Sequence, residues 1–297
     1  MNGRGAQDKV RNEFRLRAQL RGLADRVATS LAVLSTVLVI LPLVTIFTYL
    51  ILKGASSLNL AFFTHVPAPV GETGGGMANA IVGSALLLAI ASVIGVPVGI
   101  GGGVYLAEFG RGTKLANAIR FTADVLNGVP SIVMGIAAYA LIVVPQKHFS
   151  ALAGGVALGI MMIPTICRTT EEMLLMVPHA VREAALGLGV PNWRSVLSIT
   201  VRTASAGVIT GCMLAFARVA GETAPLIFTA LGNQFWSANL NEPVAALPLQ
   251  IYVYALSPYD DWHRLAWAGS LVLIFLIVLA VSLVRYVTGR GVLKGAS

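Results

Sequence analysis

Residues 168–202 read RTTEEMLLMVPHAVREAALGLGVPNWRSVLSITVR, a basic stretch set between two long apolar runs. It carries Arg168, Arg182, Arg194 and Arg202 and cannot itself cross a bilayer, so the chain leaves the apolar phase here and returns to it. Pro178 suits the first turn of a helix, where its missing N–H has no partner to lose. Val181, Ala184, Ala185 and Leu188 then form an apolar face, with Arg182 and Glu183 to the side. Gly189 stands where a helix end favours a residue free to adopt positive φ. Pro191 lies just past that end, and Trp193, Val196, Leu197 and Thr200 repeat at helical spacing on a second helix. The pattern fits a rigid helix-turn-helix knob, and also an amphipathic loop lying on a membrane surface.

Outward from this segment the chain is oily. Apolar residues make up 56% of 297, charged residues 11%, and mean hydropathy is +0.80. Such a composition excludes a soluble globule and a disordered chain, and predicts an all-α integral membrane protein. A helical span needs about 20 mostly apolar residues. The runs that qualify are approximately 27–52, 79–107, 123–145, 151–167, 203–231 and 265–287. Six spans result; glycines and Pro97 in the second run and the shortness of the fourth leave five as the nearest competitor. Lys and Arg set the orientation. Segments 1–26, 108–122, 168–202 and 285–297 hold 17 of the 21, while the other side receives only Lys53, Lys147 and Arg264, and Arg218 lies within a run. Both termini are therefore expected in the cytoplasm, in keeping with an even number of crossings. The net charge of +8 is then topological, held against anionic headgroups, and calls for no nucleic acid. The first apolar run exceeds the roughly 7–15 residues of a cleavable signal, so it is expected to remain as a span.

Nothing reads as an enzyme. Gly110-Arg111-Gly112-Thr113-Lys114 lacks the spacing of a phosphate-binding P-loop, and neither a nucleophile elbow nor an H-E-x-x-H pair occurs. Cys167 and Cys212 are far apart and read as packing thiols; the four histidines lack metal-ligand spacing. If ATP powers this chain, another subunit hydrolyses it.

Three polar or glycine-rich interruptions within the runs remain. Gly95, Gly99 and Gly103 form one stripe at four-residue intervals, the pattern of a packing seam between membrane helices, and Pro97 beside it predicts a kink. Asn127-Gly128-Val129-Pro130-Ser131 opens the third run and predicts a helix broken locally near the cytoplasmic face. In the fifth, at 100° per residue, Gly207, Gly211, Ala215, Arg218 and Glu222 share one face, turned toward other helices. Arg218 lies about 22 Å along the helix from residue 203, near mid-depth. Insertion there costs roughly 2.5–3.5 kcal/mol. A pair with Glu222 contributes only about 0.2–0.5 kcal/mol in water, in the less favourable order. Structure alone is thus a weak reason to keep the two charges, whereas guanidinium matches an anion such as phosphate bidentately.

At these residues a family resemblance appears. Glu183-Ala184-Ala185, then Gly189, then Ile199 resembles the EAA loop of ABC importer permeases, although Val201-Arg202 replaces the usual Leu-Pro that follows. Residues 75–84 (GGMANAIVGS), 128–133 (GVPSIV) and 217–225 (ARVAGETAP) are similar to the PstA-type phosphate permeases of the Pst system; together the motifs cover about 27–290. Sulfate and molybdate permeases are similar around Gly-Glu but usually lack Thr-Ala-Pro. The resemblance implies a type I importer permease fold in a bacterial inner membrane. It implies ATPase coupling through Glu183, Ala184, Ala185, Gly189 and Trp193, and a substrate pathway including Arg218, Glu222 and Thr223, with Asn127 and Ser131 beside them. No cofactor is expected on this chain; ATP and Mg belong to two PstB-type ATPase subunits. The other partners are a PstC-type sister permease and a PstS-type phosphate-binding protein outside the cytoplasm. An ion-gradient-driven transporter is the rival from another class, but it predicts inverted repeats and several intramembrane acids. In segment 232–264, Glu242, Asp260, Asp261 and the aromatics Trp236, Tyr252, Tyr254, Tyr259 and Trp262 fit an interfacial belt or a contact with the binding protein.

Overall fold

The computed structural model describes residues 3–70, 72, 74–237 and 239–294; the outermost residues of the two basic ends lie outside this range. The chain divides into two compact units, Met1–Leu52 and Lys53–Ser297. The first is a helix, part of α1 (Gly3–Ala55), so the predicted span 27–52 continues a helix that already begins within the basic segment. The second unit begins with α2 (Leu60–Thr64), capped by the Asn59 side chain, which accepts from the Phe62 N–H at 2.8 Å. Then come α3 (Ala78–Val104), α4 (Lys114–Gly128), α5 (Ser131–Ala138), α6 (Val144–Gln146) and α7 (Ala151–Leu175). The remainder comprises α8 (His179–Gly187), α9 (Asn192–Ser195), α10 (Val201–Ala220), α11 (Ala224–Thr229), α12 (Leu247–Ala255) and α13 (Asp260–Lys294). Three π-helical turns, Tyr105–Phe109, Tyr139–Val143 and Val196–Thr200, extend or join these helices. Among the described residues five helices are long and apolar enough to cross a membrane, and six when the bent pair α4 and α5–α6 counts as one.

The α3–α7 pair forms the centre of the second unit. A Cβ built on Gly95 falls 2.8 Å from the Met162 Cβ, one on Gly99 2.7 Å from the Ile166 Cβ, and one on Gly103 2.5 Å from the Thr170 Cβ. The partners advance by four residues on both helices, so the two run parallel in fixed register. α7 reciprocates: Gly155 abuts Ile90, and Gly159 abuts Ala91 and Ile94. Helices in lipid gain no hydrophobic drive toward one another, so contact of this closeness, permitted by missing side chains, is what binds them. α3 runs on through Pro97 as one element. α10 packs on α7 in the opposite sense, Gly207 against Met173 and Gly211 against Thr169.

Three departures from the predicted limits bear on the site. The third apolar run, read as 123–145, is two helices bent by 108°. Pro130 disfavours the helical region for the residue before it, and Val129 sits at φ −72°, ψ 132°. Residues 123–128 thus belong to α4, an amphipathic helix capped by Thr113, whose hydroxyl accepts from the Ala116 N–H at 3.1 Å. The fourth, read as 151–167, continues to Leu175, carrying Arg168 and Glu171 within the helix because both are paired there. The fifth, read as 203–231, begins at Asn192 through the Val196–Thr200 turn and stops at Ala220, where Gly221 (φ −95°, ψ 0°) ends it before Pro225 starts α11. The expected aromatic belt is divided: Tyr254 is buried and stacks on Trp262 with centroids 4.5 Å apart, while Trp236, Tyr252 and Tyr259 are exposed.

Candidate functional site

The break between α10 and α11 holds three of the residues singled out in the sequence. Arg218 occupies the last turn of α10 and is exposed on this chain. Glu222 lies beyond the helix end, half-buried, so the shared helical face does not extend to it. Among the described residues neither side chain makes an ion pair or hydrogen bond, and the pairing of Arg218 with Glu222 is absent. Arg218 is likewise not turned into this chain's own helix packing. Glu222 instead lines a small cavity with Leu87, Leu158, Val219 and Leu226, and Thr223 precedes α11 in the break itself.

The second break, at Val129–Pro130, lies next to the first. A Cβ on Gly135 of α5 would fall 2.6 Å from the Cα of Pro225, so α5 and α11 are in backbone contact just past their starts. Ser131 opens α5, one turn before that contact. Broken helices at membrane depth persist only where protein or water satisfies the freed backbone. The structure therefore brings Ser131 and Thr223 to neighbouring breaks. Asn127 stands apart: its Oδ1 accepts from the Thr165 hydroxyl of α7 at 3.0 Å.

That bond is the end rung of a polar ladder the sequence reading missed. Arg120 donates to Glu171 Oε1 at 2.7 Å, Arg168 donates to Glu171 Oε2 at 2.8 Å, and Arg168 also meets Asp124 at 3.0 Å. Arg120, Asp124 and Asn127 on α4 face Glu171, Arg168 and Thr165 on α7, three rungs along antiparallel helices. Glu171, with 4% of its side chain exposed, has both carboxylate oxygens occupied, which offsets the cost of burying it. The signal was available as matched three- and four-residue spacings of opposite sign, but it straddled the limits between the connections 108–122 and 168–202 and the apolar runs 123–145 and 151–167.

In the basic segment, α8 ends in a Schellman turn. The Gly189 N–H bonds to the Leu186 carbonyl at 2.9 Å, the Val190 N–H to that of Ala185 at 3.2 Å, and Gly189 has φ +77°. The buried side of α8 is Ala185 with half-buried Val181, while Ala184 and Leu188 point outward. Arg182, read as lateral, turns inward onto Glu108. On the second helix Val196 and Thr200 are buried and Trp193 and Leu197 exposed. Glu183, Ala184, Leu186, Leu188 and Trp193 are thus uncovered, the last two to 84% and 62%. Among the described residues no cluster of His, Cys, Asp or Glu could hold a metal. An apolar cavity of about 430 Å³ between α3, α10 and α13 offers no charged group to an anion.

The model of the family described as "binding-protein-dependent transport system inner membrane component" matches residues 99–290, from within α3 through both breaks and the EAA segment. The chain belongs to this family. Among curated relatives, the phosphate transport system permease protein PstA of Yersinia pestis is 44% identical over 90% of this chain and 90% of its own length. PstA of Xylella fastidiosa (strain Temecula1) is 48% identical over 77% and 80%, and PstA 1 of Mycobacterium tuberculosis (strain H37Rv) 34% over 93% and 92%. Within the family the chain is thus of PstA type. A solved structure of the MetNI methionine ABC transporter, inward facing, matches 74% of this chain and 97% of its own with a TM-score of 0.54 at 19% identity, a likeness of fold. As an inner membrane component the chain is a multi-pass transport subunit.

Proposed function

We propose that this permease conducts inorganic phosphate inward by alternating access, powered by separate ATPase subunits. Phosphate as the substrate rests on the near full-length relatives that carry that name. The observation that carries the location of the path is Arg218, a guanidinium without an intrachain ion pair among the described residues, at one of two adjoining helix breaks. Glu222 and Thr223 at that break and Ser131 at the other complete the path, with Asn127 at its cytoplasmic side. The exposed face of Glu183, Ala184, Leu188 and Trp193, held by Ala185 and the Gly189 turn, is the docking surface for a PstB-type ATPase. That partner uses the ATP and Mg; this chain hydrolyses nothing and binds no cofactor. A PstC-type sister permease, a second ATPase copy and a PstS-type binding protein complete the importer in a bacterial inner membrane.

Cells supplying these partners are expected to take up labelled phosphate only when this chain is present. Excess sulfate or molybdate should not compete, and an ionophore that collapses the proton gradient while ATP is maintained should leave uptake intact. Competition by sulfate would reassign the substrate, and loss of uptake with the gradient would indicate a secondary transporter.

Both termini face the cytoplasm in this reading, because 17 of 21 basic residues group on one side. In a background lacking Cys167 and Cys212, Gly5→Cys and Gly295→Cys should resist a membrane-impermeant thiol reagent in intact cells, and Leu240→Cys should react. Labelling at either terminus would overturn the six-span arrangement.

A further inference from the structure

Arg182 lies in the EAA segment, yet its contacts run inward. Its Nε reaches both carboxylate oxygens of Glu108 (3.1 and 3.3 Å), and one terminal nitrogen donates to Glu108 Oε1 at 2.6 Å and to the Leu174 carbonyl at 2.7 Å. The other terminal nitrogen donates to the Val177 carbonyl at 2.6 Å. The side chains of Arg182 and Glu108 are only 12% and 8% exposed. Glu108 belongs to the π-helical turn that closes α3, Leu174 lies in the last turn of α7, and Val177 follows in the link to α8. One guanidinium therefore fastens α8 to the ends of both helices of the glycine-packed pair. The backbone holds only the first part of the three-residue link: Met176 and Val177 bond back to the Glu172 and Leu174 carbonyls, both at 3.2 Å, and the chain turns extended at Pro178 (ψ 140°), past which α8 begins.

We propose that the Glu108–Arg182 clasp is the joint through which force on α8 reaches the α3–α7 pair, making both residues positioning residues for transport. This rests on the reading of the exposed α8 face as the ATPase docking surface. With the clasp closed, α8 cannot swing at its three-residue link without breaking a buried charged pair and uncovering two carbonyls, so its displacement becomes displacement of α3 and α7. With the clasp open, α8 follows the ATPase while the span pair stays behind.

The test uses the complete importer in proteoliposomes, comparing wild type, Glu108→Ala, Arg182→Gln and the double variant at equal complex yield. In the single variants ATP hydrolysis is expected to persist while solute imported per ATP falls by about tenfold, within the range for residues lying between coupled sites. The double variant should be no worse than the worse single one, because all three lose the same joint. Import and hydrolysis falling in proportion, or an unchanged ratio, would overturn the proposal. A second measurement is independent of the solute: spin labels at Phe109→Cys and Ala180→Cys, with Cys167 and Cys212 replaced, report the α8–α3 distance in the assembled complex. That distance should be the same with and without a non-hydrolysable ATP analogue in wild type, and should differ between the two states in Glu108→Ala. A shift in wild type, or none in the variant, rejects the joint. Failure of the wild type to import phosphate would instead count against the substrate, with the label distances still deciding the clasp.

Discussion

Arg218→Gln is expected to abolish phosphate uptake while the importer still assembles. Among the described residues Arg218 makes no ion pair within this chain, so the substitution strands no buried carboxylate here and removes the cost of holding a charge in lipid. What it removes is a planar donor fork for an oxyanion. Hydrogen bonds to charged groups contribute about 1.5–3 kcal/mol, which corresponds to roughly a 10- to 150-fold loss of rate if they act in the rate-limiting step. Arg218→Lys should recover only part of the activity, since an ammonium keeps the charge and loses the fork. Uptake by the single and double variants with Glu222→Gln, measured beside complex yield, tests this. Wild-type transport by Arg218→Gln/Glu222→Gln would mean that neither residue serves the anion path.

Gly189→Val should eliminate ATP-driven uptake through a different cause. A Cβ added to Gly189 meets nothing within 4 Å, so no clash arises and the whole penalty is backbone conformation at φ +77°. A left-handed residue other than glycine costs roughly 1–2 kcal/mol, and a β-branched one is a rarer outlier still. The Schellman turn would open and re-aim the exposed Glu183–Leu188 face. The series Gly189→Asn, Gly189→Ala, Gly189→Val should therefore lose uptake in that order, with membrane insertion unchanged and ATPase binding lost in parallel. Equal uptake across the series would show that this turn does not shape the docking surface.

The elements legible in the sequence were those governed by local rules. Helix existence followed from apolar run length, the α3 seam from the spacing of Gly95, Gly99 and Gly103, and the α8 stop from Gly189. What stayed hidden depended on partners distant in sequence. Arg168 and Glu171 looked like the start of a cytoplasmic loop because their counter-charges, Asp124 and Arg120, come from another helix; once paired, they ride inside α7 to Leu175. Periodicity puts Arg182 to the side of α8, and the Glu108 that turns it inward lies 74 positions earlier. A helical period puts Glu222 on the Arg218 face only when it runs past Ala220, where the Gly221 break ends it. Periodicity carried a reading only as far as the hydrogen-bond ladder that produces it.

The parallel register of α3 and α7 has an electrostatic consequence. Two parallel helices align their macrodipoles, so the partial negative charge of both carboxyl ends gathers at one level, each end favouring a nearby cation by about 0.3–1 kcal/mol. Three arginines donate into the carbonyls there: Arg111 to Ala107 at 2.9 Å, Arg120 to Leu106 at 3.2 Å, and Arg182 to Leu174 and Val177. These belong to the same basic set from which the cytoplasmic orientation of both termini is proposed, so in that reading insertion signal and dipole neutralisation share residues. Deleting Arg111, Arg120 or Arg182 to probe orientation also uncaps a helix, and the two effects enter one measurement. Arg194 and Arg202, exposed and donating to no carbonyl among the described residues, are where orientation can be varied by itself.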